Sequence, residues 1–84
     1  MSVEVRCVAE GDGYRCAVTV SDGRSTEHSV WVRRADLERW GRGRTAEELV
    51  ADSFAFLLGR ESKESILRDF DLAIIKHYFP DYDG

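Results

Sequence analysis

The sequence lacks a long apolar run, internal repeats, low-complexity segments and a linker. No stretch approaches the roughly 18 consecutive apolar residues of a transmembrane helix, so a membrane span is excluded. The N-terminus, MSVEVRCVAE, alternates like a strand and has no apolar run of a signal peptide, so we expect a cytoplasmic protein. Without a linker, the 84 residues make a single domain spanning residues 1–84.

The motifs of common enzyme classes are also missing. Only His28 and His77 could act as a base beside a serine or cysteine nucleophile, and neither lies in a recognisable motif. The chain has no G-x-S-x-G elbow, no P-loop and no G-x-G-x-x-G turn. A chain this short also offers little concave volume for a substrate. We therefore predict that the protein is not an enzyme and has no catalytic residues and no cofactor.

Lysine is scarce, because ten of the twelve basic residues are arginine. The net charge of −4 argues against unspecific binding to nucleic acid. The charge is unevenly spread, since residues 1–44 carry +1 and residues 45–84 carry −5. Arginine suits the recognition of phosphate or carboxylate groups, but a GC-rich genome produces the same bias.

The first part of the chain contains three stretches of alternating apolar and polar residues. These stretches, at about 2–9, 14–20 and 26–33, are typical of strands with one apolar face. Gly11-Asp12-Gly13 and Ser21-Asp22-Gly23 separate them and predict short turns. The pattern therefore predicts a three-stranded antiparallel β-meander.

The stretch from Thr45 to Gly59 predicts the main helix, over about residues 46–58. Thr45 and Glu48 form a T-x-x-E capping box, and Gly59 is placed to end the helix in the left-handed conformation. The helix has an apolar stripe that is expected to cover the apolar face of the meander. The residues of this stripe are Leu49, Val50, Phe54, Leu57 and Leu58.

Two further helical pieces complete the predicted fold. A short helix is expected at about residues 34–40, followed by a mobile loop over residues 41–44. A C-terminal helical segment is expected at about residues 63–79, with Ile66, Leu67 and Phe70 buried. Pro80 stops it and the last four residues form a frayed tail. The fold class is therefore α+β, a meander followed by two or three helices packed on one face.

The ending ILRDFDLAIIKHYFPDY combines Ile-Leu, Phe-Asp-Leu, Ile and Tyr-Phe-Pro-x-Tyr over residues 66–82, about a fifth of the chain. This pattern resembles the C-terminal signature of small uncharacterised bacterial proteins. The resemblance implies that the chain is a complete small protein and not a fragment. It carries over no catalytic or binding residues.

Cys7, Cys16 and His28 fall on one face of adjacent predicted strands. Two thiolates and an imidazole are good zinc ligands, which makes a Cys/His metal protein one alternative function. A structural zinc site normally has four ligands, and no fourth is evident, so we predict no metal site. The expected state is two free thiols packed in the core, because a reducing cytosol argues against a disulfide.

The outer face of the predicted sheet and the 41–44 loop form the predicted interaction surface. Tryptophan and arginine are enriched at the energetic centres of protein interfaces, so the primary prediction is a protein-interaction or regulatory module. The alternative is a small nucleic-acid-binding or transcription-related protein that stacks bases on the tryptophan. The residues of this surface are Arg6, Arg15, Trp31, Arg33, Arg42 and Arg44.

A homodimer is the second partner prediction. A three-stranded meander leaves two open edges, which natural proteins usually cover or charge. The helical part also carries more large apolar side chains than one small sheet is expected to bury. A two-fold dimer would satisfy both requirements.

Overall fold

The structure is a computed structural model that covers residues 1–84. The chain begins with β1 (Ser2–Glu10), β2 (Gly13–Ser21) and β3 (Ser25–Arg33), each within one residue of the predicted limits. Gly11 has a φ of 55°, which allows a tight two-residue turn between β1 and β2. The strands pair as the predicted antiparallel meander, and the α+β fold class is confirmed.

The main helix and the short helix form where the sequence predicts them. The short helix is α1 (Arg34–Gly41), and the main helix is α2 (Ala46–Leu58). None of the helices has the length and apolar character needed to cross a membrane. The helices pack on one face of the sheet, and α2 covers the apolar face as predicted. The shared core contains Cys16, Val18, Val20, Val30 and Val32 from the sheet and Leu49, Val50, Phe54 and Leu57 from α2.

The start of α2 has the predicted capping box. The backbone N–H of Glu48 donates to the Thr45 hydroxyl at 3.1 Å, and the Thr45 N–H donates to the Glu48 carboxylate at 2.8 Å. The expected left-handed ending is wrong, because Gly59 has a φ of −76°. The left-handed helix end lies instead on α1, where Arg42 has a φ of 51°.

The prediction of a C-terminal helical segment over about residues 63–79 is wrong, because only its last part forms an α-helix. The segment forms a 3₁₀ turn (Lys63–Ser65), a short strand β4 (Asp69–Asp71) and a short helix α3 (Ile74–Tyr78). β4 pairs in parallel with β3, giving a four-stranded sheet in the order β1-β2-β3-β4. The physical reason is that β3 would otherwise expose an unpaired edge.

The prediction of a frayed C-terminal tail is also wrong. Tyr82 is only 1% exposed and packs edge-to-face against Trp40 and Phe56, with ring centroids 5.1 and 5.3 Å away. Its hydroxyl lies 2.6 Å from the Ser53 hydroxyl, which itself donates to the Leu49 carbonyl. Burial raises the pKa of the Tyr82 phenol. The tail therefore packs against α1 and α2 and buries Tyr82 in the core.

Candidate interaction surfaces

The outer face of the sheet carries four of the predicted surface residues, Arg6, Arg15, Trp31 and Arg33. Arg15 lies opposite Trp31 in the register, with its guanidinium carbon 5.4 Å from the ring centroid. The indole also covers Gly13, where a Cβ atom would come within 3.0 Å of the ring. Trp31 is therefore half-buried by its neighbours in the sheet.

Two of these arginines are paired with carboxylates of β4. Arg15 lies 3.6 Å from Asp69, and Arg33 donates to Asp71 at 2.8 Å. The hydrogen bond to Asp71 raises the pKa of the Arg33 guanidinium above its ordinary value. These carboxylates reach the outer face because β4 is a strand in this sheet. Arg15 and Arg33 therefore bind within the chain and do not present free cations, whereas Arg6 has no carboxylate partner.

The outer face of the sheet carries more carboxylates than arginines. Its three arginines are accompanied by five carboxylates, the two of β4 and Glu4, Glu10 and Glu27. Affinity for nucleic acid depends on cations that replace the counterions of the phosphates. A face with more carboxylates than arginines lacks that driving force, so the nucleic-acid alternative has little support here.

The remaining predicted residues, Arg42 and Arg44, lie away from the outer face. Arg44 donates to the carbonyls of Trp40 and Gly41 at the end of α1 and pairs with Asp52 of α2 at 2.7 Å. Arg42 pairs with Asp83 of the tail at 3.2 Å. The loop predicted to be mobile is therefore bound to both helices and the tail, and the six predicted residues do not form one surface.

The two cysteines and His28 do share the inner face, but their chemistry differs from the prediction. Cys7 and Cys16 form a disulfide, so the prediction of free thiols is wrong. The His28 Nδ1–H donates to the Leu67 carbonyl at 2.8 Å, and its Nε2 lies 2.9 Å from the Thr26 hydroxyl. Every ligand of the metal alternative is therefore engaged in another bond.

A concave apolar groove lies between the end of α2 and α3. Its volume is about 320 Å³, and eight of its ten lining residues are apolar. Leu67 and Tyr78 lie on it with 49% and 63% of their surface exposed. Its other apolar residues are Leu57, Ile66, Phe70, Ile74, Ile75 and Phe79. We call these residues, with Glu61 and Ser65, the C-terminal groove.

Glu61 is the one charged residue of the C-terminal groove. It is half-buried and makes no ion pair within the chain. The neighbouring charges are already engaged, since Arg60 pairs with Asp81, and Lys63 pairs with Asp22 and Glu64. The groove therefore combines an apolar wall with a single unpaired carboxylate.

The C-terminal groove is not predicted from the sequence, because Leu67 is expected there to be a buried residue of a helix. In the structure, the carbonyl of Leu67 accepts from His28, and the carbonyl of Arg68 accepts from the Ser29 N–H at 2.7 Å. These bonds hold the segment extended and turn the Leu67 side chain outward. The available signal was the excess of large apolar residues near the C-terminus, which one small sheet cannot cover.

Comparison with protein-family models, with curated proteins and with solved structures finds no match to this chain. The resemblance of residues 66–82 to small bacterial proteins therefore stays a prediction. The chain offers two surfaces for binding, the outer face of the sheet and the C-terminal groove.

Proposed function

We propose that the protein is a non-enzymatic interaction module that binds a peptide segment of a partner protein in the C-terminal groove. The segment has a large apolar side chain next to a lysine or arginine. The observation that carries this proposal is an apolar groove that contains one unpaired carboxylate, Glu61.

The shape and lining of the groove support a peptide ligand. Specific pockets are mostly apolar with a few placed polar groups, and about 320 Å³ lies at the small end of their range. Such a volume suits one or two side chains of a segment. Binding would bury the exposed apolar surface of Leu67 and Tyr78, and this burial supplies the favourable free energy.

The charge of the groove supports a ligand in which a lysine or arginine lies next to the large apolar side chain. Glu61 is half-buried and unpaired, so binding an acidic or neutral ligand would remove water from it without compensation. An ammonium or guanidinium group would provide that compensation and fix the orientation of the segment.

The outer face is the weaker candidate surface for the same function. Arg15 and Trp31 form a stacked pair beside the exposed Val8, which resembles the composition of interface centres. However, Arg15 and Arg33 already have carboxylate partners. Contact there would first have to break or cover those pairs.

The test is a selection of random peptides on the immobilised full chain. We expect enriched peptides to contain Leu, Ile or Phe beside Lys or Arg. Leu67→Ser should weaken their binding about tenfold. About half of the leucine side chain is exposed, and the variant loses the free energy of burying that apolar surface against the peptide. Glu61→Lys should shift the selection toward Asp and Glu. Val8→Ser, which changes an exposed apolar residue on the outer face, is the matched control and should bind like wild type.

Enriched peptides that bind Leu67→Ser as tightly as wild type would contradict the groove as the binding site. A parallel titration with single-stranded oligonucleotides at about 50 and 200 mM salt tests the nucleic-acid alternative. We expect no binding at either concentration. Binding that weakens steeply with salt would favour that alternative over the proposed function.

A further inference from the structure

β1 is an open sheet edge of unusual length for a chain of this size. It lies at the end of the strand order, and all nine of its residues pair with β2 on one side only. The opposite edge is different, because β4 covers the middle of β3. Natural proteins usually protect such an edge with proline, lysine, a bulge or a covering element.

β1 has no proline, no lysine and no bulge, and its only edge protection of this kind is the charge of Glu4, Arg6 and Glu10. Its sequence, SVEVRCVAE, contains neither proline nor lysine. Its register with β2 runs without a bulge from Ser2 opposite Ser21 to Glu10 opposite Gly13. The edge is therefore straight enough to pair with another strand.

The spacing of Cys7 and Cys16 shows which backbone groups point outward. Their Cα atoms are 4.0 Å apart, which matches the closer, non-hydrogen-bonded type of antiparallel pair. The N–H and C=O of Cys7 therefore point away from β2, toward the open side. Because the two pair types alternate, the same holds for Val3, Val5 and Ala9.

The side chains of the edge include two unpaired opposite charges. Glu4 and Arg6 are exposed on the outer face and make no ion pair within the chain. In contrast, six other arginines each lie within 4.0 Å of a carboxylate. These are Arg15, Arg33, Arg34, Arg42, Arg44 and Arg60.

We propose that β1 pairs antiparallel with β1 of a second copy of this chain, with the two-fold axis at Val5. In this register Glu4 lies opposite Arg6 of the partner subunit, and symmetry repeats the pair. The residues with outward backbone groups also face each other, so about six backbone hydrogen bonds form across the junction. The two sheets become one continuous sheet.

The charges select this register among its neighbours. An axis at Arg6 places Arg6 against Arg6 of the partner subunit, and an axis at Glu4 places two glutamates together. An axis at Cys7 places Glu4 against Glu10 of the partner subunit. Like charges directly opposite are destabilising, whereas opposite charges stabilise a cross-strand pair. Of these four registers, only the axis at Val5 brings opposite charges together. An axis at Val8 would also place Arg6 against Glu10 of the partner subunit, but it pairs only residues 6–10 of each strand, against residues 2–8 for the axis at Val5.

The size of the junction sets the strength of the dimer. Pairing from Ser2 to Val8 of each chain buries less than the roughly 800 Å² per partner of a standard interface. We therefore expect a dimer that dissociates on dilution, with a mass that rises from monomer toward dimer as concentration increases.

The first test reverses the charges. Arg6→Glu and Glu4→Arg should each weaken dimerisation about tenfold in analytical ultracentrifugation, because each replaces two attractive pairs by two repulsive ones. The double variant Glu4→Arg/Arg6→Glu should restore it, since the pairs are then attractive again. Both side chains are exposed and unpaired, so the fold tolerates the changes. A double variant as weak as the single ones would overturn the register.

The second test is a cross-link. Val5→Cys places two thiols at the axis, where Cα atoms about 5.5 Å apart permit a disulfide. Ala9→Cys is the matched control, because the two Ala9 positions lie about 27 Å apart in this register. We expect a covalent dimer under mild oxidation from Val5→Cys only.

Equal cross-linking of the two variants, or a monomeric mass for wild type at all concentrations, would overturn the dimer. Leu67→Ser should leave the mass unchanged, because the C-terminal groove is a separate surface. Failure of the peptide-binding proposal and failure of the dimer are therefore distinguished by different variants.

Discussion

At the scale of single residues, the Lys63 ammonium is the most enclosed charge in the chain. Its side chain is 6% exposed, and its nitrogen lies 2.7 Å from both the Asp22 and the Glu64 carboxylates. The hydrogen bonds from Lys63 lower the pKa values of Asp22 and Glu64, and the two carboxylates raise the pKa of Lys63. Since Asp22 lies in the turn between β2 and β3, this cluster joins that turn to the 3₁₀ turn.

The cluster predicts how stability depends on pH. The folded pKa values of Asp22 and Glu64 lie below the unfolded values of about 3.9 and 4.3. Their contribution is therefore present above about pH 4 and is lost as pH falls through the folded values. Lys63→Met removes the ammonium that causes the shift. We expect its free energy of unfolding, from urea titrations, to fall less than that of wild type between about pH 6 and about pH 3.

The control for this prediction is Lys76→Met. The Lys76 amine donates to the carbonyls of Pro80 and Tyr82 and has no carboxylate partner. This variant should lose stability in acid as wild type does. An equal acid loss for wild type and Lys63→Met would show that the cluster does not govern the pH dependence.

At the scale of elements, the start of α2 depends on a local cap. Thr45→Ala removes the hydroxyl that accepts from the Glu48 N–H, and we expect the free energy of unfolding to fall by about 1 kcal/mol. Thr45→Ser keeps the hydroxyl and should stay close to wild type in the same urea titration. Unchanged stability of Thr45→Ala would mean that packing alone determines where α2 begins.

The elements that could be predicted from the sequence are those with local signals. The three long strands and α2 each combine a repeated apolar period with turn or cap residues at their ends, and their limits agree with the structure. β4 has only three residues, which is too short to show a period. Its position depends on bonds to β3, such as that from the Leu72 N–H to the Trp31 carbonyl at 2.9 Å.

The candidate surfaces were harder to predict for the same reason. Alternation correctly placed Arg15 and Trp31 on one face, but the acids that pair with the arginines come from β4. The burial of Tyr82 likewise depends on Trp40 and Phe56, which are distant in sequence. A pattern along the chain contains no information on such partners, so the sequence predicts one interaction surface that includes Arg15 and Arg33, and a frayed tail.

At the scale of the whole molecule, the small size of the chain makes one cross-link important. A domain of this length buries only about 60–65% of its unfolded surface, so its stability is modest. The disulfide joins β1 to β2, and Cys16 is fully buried in the core. Disulfides persist mainly in oxidising compartments, which opposes the predicted cytoplasmic location. The compartment stays a prediction.

We predict that reduction of the disulfide lowers the free energy of unfolding by about 2–3 kcal/mol. The bond joins residues nine positions apart, and a closed loop of this size removes that much entropy from the unfolded chain. Urea titrations with and without a reductant measure the difference. The variant Cys7→Ala/Cys16→Ala is the control, because its unfolding should not respond to the reductant. Identical wild-type curves in both conditions would mean that the two cysteines are not bonded in solution. The protein would then suit a reducing compartment, and its core would depend on packing alone.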